Sequence, residues 1–69
     1  MNWDRVEGKW KEMKGRVREK WGKLTDDELE QIAGKRDKLA GMLQQRYGIA
    51  KEEAEKQIAQ FERDLDRAA

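Results

Sequence analysis

The residues able to do chemistry here are few. The 69-residue chain contains no Cys, His or Ser, so thiolate nucleophiles, imidazole bases and the usual zinc donor sets are missing. What remains is one Thr25, one Tyr47 and 31 charged side chains. Asp26, Asp27, Glu28 and Glu30 form the densest acid cluster, which raises the question of a hard-cation site. It lacks the alternating ligand spacing and the glycine of a calcium loop. These acids instead read as the first turn of a helix, where negative charge meets the positive end of the backbone dipole. Thr25 reads as the cap of that helix and Tyr47 as a core side chain. No catalytic, cofactor-binding or metal-ligating residue is assigned, no cofactor is called for, and an enzyme is not expected.

The cations pose the other chemical question. Lys9, Lys11, Lys14, Arg16, Arg18, Lys35, Arg36 and Lys38 are the candidates for contact with phosphate or with a partner. Charge is segregated along the chain: residues 1–23 hold eight bases and four acids, and residues 24–34 hold four acids and no base. Residues 35–51 hold five bases and one acid, and residues 52–69 three bases and six acids. Neighbouring basic and acidic helices would attract one another, and that is the preferred reading. A net charge of +1 and a pI near 8.0 give little support to nucleic-acid binding, for which domain pI values usually exceed about 9. Gly48-Ile49-Ala50 followed by Ala54 and Ile58 is similar to a helix-hairpin-helix phosphate turn, but Ala50 replaces the second glycine and Glu52 and Glu53 would repel the anion. Trp3, Trp10 and Trp21 among lysines could lie on a membrane surface, yet a small domain needs those indoles for its core.

These side chains are positioned by helices. Trp3, Val6, Trp10, Met13, Val17 and Trp21 follow the spacing of one helix face, and Leu39, Leu43 and Tyr47 trace a second stripe. Sliding residues 8–33 onto 34–59 gives seven identities, with glycines matching at 8/34, 15/41 and 22/48. A repeat of this length marks a supersecondary unit used twice. Thr25 with Glu28 forms a capping box and Leu24 with Leu29 a hydrophobic staple. Gly22 and Gly48 stand where left-handed C-caps belong. The last helix, with Ala50 at its cap, starts less firmly and carries Ala54, Ile58, Phe61, Leu65 and Ala68.

The spacing predicts helices near 9–21, 26–33, 35–47 and 51–67, with an initial turn over Trp3–Glu7. The fold expected is all-α: a single domain over 1–69, with four short helices as two packed αα-hairpins from the duplicated units 8–33 and 34–59. A three-helix bundle, with one helix running through Gly34, is the alternative. Trp10, Val17, Trp21, Leu29, Ile32, Leu39, Leu43, Ile58 and Phe61 are the expected core. Gly15 and Gly41 lie opposite the apolar stripes, where glycine costs a helix about 1 kcal/mol relative to alanine. They mark either a tolerant surface or a place where a second backbone packs closely.

Several segments together resemble the bacterial CsbD-like family of small stress proteins: Gly8-Lys9-Trp10-Lys11, the run from Gly15 through Trp21-Gly22-Lys23-Leu24-Thr25-Asp26-Asp27, Gly34-Lys35-Arg36-Asp37, and Gln45-Arg46-Tyr47-Gly48 with Lys51-Glu52-Glu53-Ala54-Glu55. The resemblance implies a compact helical domain made under general stress, with no agreed catalytic activity and no site residues to carry over. Many relatives have a hydroxyl residue where Ala50 stands. The expected function is a non-enzymatic stress-response protein, a hydrophilic protectant or interaction module, with a nucleic-acid-binding module as the alternative. No apolar run approaches the roughly 18 residues of a membrane span, so a cytoplasmic protein is expected. A monomer is favoured, with weak self-association possible and the partner unknown.

Overall fold

The computed structural model describes residues 2–68, and side chains through Arg67; the expectation for the Ala68 side chain falls outside them. Five helices follow in order: α1 (Trp3–Gly8), α2 (Trp10–Lys20), α3 (Asp26–Ile32), α4 (Arg36–Tyr47) and α5 (Lys51–Ala68). No strand occurs among the described residues, so the all-α expectation holds.

The helix boundaries follow from local chemistry. The expected opening turn is a full short helix, because the Asn2 side chain accepts the Arg5 N–H at 3.2 Å and caps it. Thr25 and Glu28 form both halves of the capping box that starts α3. Gly48 ends α4 in the left-handed region at φ 63°.

Gly22 departs from expectation. The C-cap of α2 is Trp21, at φ −120°, and the chain turns by donating the Leu24 N–H to the Trp21 carbonyl at 3.1 Å. No left-handed residue is needed there. One is needed after α3, where Ala33 (φ 49°) and Gly34 (φ 79°) both have positive φ. Gly34 is therefore a turn, and the single helix through it does not form.

Shifted by 26 residues, α2 falls on 36–46, inside α4, and α3 falls on 52–58, inside α5. The element order thus repeats in register. Backbone packing is most extensive between α4 and α5, then between α3 and α4. The radius of gyration is 10.9 Å, matching the roughly 11 Å expected of a compact chain this long.

All five helices contribute to one apolar cluster, which includes Val6, Val17, Leu24, Leu29, Ile32, Leu39, Leu43 and Ile58. Trp21 and Phe61 pack at 5.3 Å between ring centroids, and Trp3 meets Phe61 at 6.4 Å. Trp10 is only half-buried, against the expectation, because it sits at the edge of this cluster.

Each indole N–H crosses to another element. Trp3 donates to the Gly34 carbonyl at 2.7 Å, Trp10 to the Leu29 carbonyl at 3.0 Å and Trp21 to Gln57 Oε1 at 2.9 Å. Each tryptophan thus satisfies its polar atom within the fold, with the Trp3 and Trp21 side chains buried and Trp10 half-buried. No helix among the described residues is long and apolar enough to cross a membrane.

Candidate interaction surface

At about 100° per residue, α2 does not hold its cations on one face. Lys11, Lys14 and Arg18 flank the Trp10–Met13–Val17 stripe on one side, and Lys9 and Arg16 flank it on the other. The first flank meets the acids of α3: Lys14 pairs with Glu30, and Arg18 with Asp26 at 2.6 Å. As numbers rise along α2 they fall along α3, so the two helices run in opposite senses.

The second basic cluster is divided too. Lys35 pairs with Glu7 of α1 at 2.8 Å. Arg36 lies between Glu55 and Glu62 of α5, at 3.8 and 3.9 Å. Four of the eight candidate cations are thus matched by acids of a neighbouring helix. Lys9, Lys11, Arg16 and Lys38 carry no ion pair among the described residues; the first three sit on α2 or at its cap, whereas Lys38 sits on α4. Such surface pairs are worth about 0–1 kcal/mol each, so they arrange charge more than they hold the fold.

The acid cluster is similarly engaged. Asp26 and Glu30 face α2, and Glu28 turns inward. Glu28 is 6% exposed, accepts the Thr25 N–H at 2.9 Å and is gripped by the Arg46 guanidinium from α4. The Thr25 N–H and, behind it, Arg46 hold its carboxyl below the usual carboxylate range against the opposing effect of burial. The hydrogen bond and charge of Glu7 raise the Lys35 ammonium. No group of three acids is arranged to hold a metal among the described residues.

The Glu28–Arg46 pair was not legible in the sequence. The capping box accounts for half of Glu28, but Arg46 reaches it only after α4 folds against α3. The Gly34–α1 contact was equally hidden. A Cβ at Gly34 would lie 2.9 Å from the Glu7 Cα.

Thr25 and Tyr47, the two hydroxyl side chains, both serve backbone. Thr25 Oγ1 accepts the Glu28 N–H, and the Tyr47 hydroxyl accepts the Lys23 N–H at 3.2 Å. Around Gly48-Ile49-Ala50, Ile49 packs half-buried on the core, and Glu52 and Glu53 occupy the first turn of α5. Gly15 and Gly41 are exposed, and a Cβ at either would meet open space.

Fold and surface together define a small helical protein in which several charges are matched between helices. The CsbD-like family model matches residues 4–56, and the chain belongs to that family of general stress-response proteins. It is similar to a UPF0337 protein of Nitrosomonas europaea, with 54% identity over 99% of this chain and 72% of the relative. It is also similar to the UPF0337 protein YjbJ of Escherichia coli K12, with 53% identity over 90% of each chain. A UPF0337 protein of Pectobacterium atrosepticum is 55% identical, again over 90% of each.

Proposed function

We propose that this chain is a non-enzymatic protectant of the general stress response, a cytoplasmic monomer that remains hydrated and weakly adhesive at high abundance. The observation that carries this reading is the surface. Lys14, Arg18, Lys35 and Arg36 are matched by acids from neighbouring helices, and no large hydrophobic side chain is exposed among the described residues. A surface with both signs interspersed and no apolar patch binds water well and other proteins poorly. The use of both hydroxyl side chains as backbone partners supports a role without catalysis.

The test combines two measurements. A heat- or drying-sensitive enzyme, stressed with increasing amounts of this protein, is expected to retain activity in proportion to the protectant present. Titration against labelled DNA and RNA at about 150 mM salt is expected to show no submicromolar binding. Tight binding with a salt slope of several released counterions, reduced by substituting Lys11, Lys14 and Arg18 together, would replace this reading with the nucleic-acid one.

A further inference from the structure

The sulfur of this chain is confined to three methionines, and the fold treats the two described ones in opposite ways. Met13 is 6% exposed within the core. Met42 is half-buried on α4, one side against the core and the other facing a groove beside α3. Two adjoining hollows form that groove, about 460 and 420 Å³ in volume, and they share Gln31, Met42 and Gln45. Lys38 also lines the second hollow. The only soft nucleophile in the groove is thus a thioether with amide and ammonium donors around it.

We infer that Met42 is a site of reversible oxidation by hydroperoxides, and that the α3–α4 groove accommodates the sulfoxide without unfolding. The sulfur lone pair attacks the terminal peroxide oxygen, an S–O bond forms and the O–O bond breaks. Sulfur loses two electrons, and the proton of the transferred hydroxyl passes to the departing oxygen, which leaves as water or an alcohol. Two thiols reverse the step, yielding the thioether, a disulfide and water. Oxidation turns a flexible apolar side chain polar. At Met13 the new oxygen would be buried in an apolar core, which is costly without a hydrogen-bond partner. At Met42, solvent, the Gln31 and Gln45 amides and the Lys38 ammonium are at hand as donors.

A hydrogen peroxide time course on the intact protein, read by peptide mass mapping and thermal melts, tests this. Met42 is expected to oxidise roughly tenfold faster than Met13, as exposure dictates. The Met42-oxidised protein should keep its cooperative melt, and a thiol-driven methionine sulfoxide reductase should restore the parent mass. Met13→Leu should leave this early event in place and Met42→Leu should abolish it. In Gln31→Ala/Gln45→Ala, oxidation of Met42 should lower the melting temperature more than it does in the parent. Equal rates at Met13 and Met42, or collapse of the melt on oxidation of Met42 in the parent protein, would overturn the inference. The parent time course is decisive by itself if any variant fails to fold.

Discussion

The two repeat units share helices and differ at their ends. In the middle they agree: Gly15 and Gly41 both sit in exposed helix with open space beyond the missing Cβ. At the entrance, Gly8 ends α1 without a positive φ, whereas its counterpart Gly34 is buried at φ 79° against the backbone of Glu7. At the turn the same contrast recurs, since Gly48 is left-handed at φ 63° and Gly22 is not. Identical residues at matching positions thus do different physical work. What the units have in common is the helical register; what distinguishes them is which neighbour each end touches.

Paired substitutions at matching positions test that contrast, and the aromatic pair should show the largest effect. Trp21 is 2% exposed, packs its ring tilted against Phe61 and bonds Gln57, whereas Tyr47 is half-buried. Trp21→Ala should cost about 3–5 kcal/mol, comparable with the total stability of many domains, and abolish the cooperative melt by circular dichroism. Tyr47→Ala should leave a folded, less stable protein. Equal losses would remove the distinction.

The entrance glycines come next. Gly34→Ala places an L-residue in the left-handed region, at about 1–2 kcal/mol, and sets its Cβ against Glu7, which adds to that loss. Gly8→Ala should be neutral or slightly stabilising. Urea midpoints of the two variants should therefore move apart, and a common shift would show that α1 does not pack on the α3–α4 turn.

Acid gives a third contrast. Glu28 corresponds to Ala54 in the second unit, so the buried carboxylate belongs to the first unit alone. Its folded pKa is lowered from 4.5, so its contribution is present above that value and disappears as pH falls through the folded pKa. Glu28→Gln should lower the urea midpoint at neutral pH and flatten its decline on acidification. An unchanged acid slope would show that Glu28 and Arg46 do not couple in the folded state.

The smallest effect is expected at the middle glycines, where the units agree. Gly15→Ala with Gly41→Ala should stabilise by up to about 1 kcal/mol per site, raising Tm by several degrees in a domain this small. Should self-association exist, its loss in the stabilised double variant would assign these glycines to the contact, and unchanged association would leave them as bare surface.

The parts of the fold legible in the sequence were those governed by short spacing. The Met13–Val17 stripe, the Thr25–Glu28 box and the Gly48 cap are each set within a turn or a single helix. The left-handed Ala33 was hidden because glycine normally takes that conformation, and because the turn is held from outside, by Trp3 and Glu7 of α1. Among the candidate cations, segregated charge foreshadowed the pairing of α2 with α3 acids, but not which lysines would remain unpaired. That depends on how each flank of α2 is turned, a tertiary matter.

The three indole N–H bonds also make the molecule its own optical gauge. Each tryptophan reports a different junction: Trp3 the docking of α1 on the Gly34 turn, Trp10 that of α2 on α3, and Trp21 that of the α2 end on α5. Three proteins retaining one tryptophan each, with phenylalanine at the other two positions, would resolve by emission wavelength the order in which these junctions part. A single cooperative domain gives superimposed transitions, whereas an early transition at Trp3 would identify α1 as the segment that yields first.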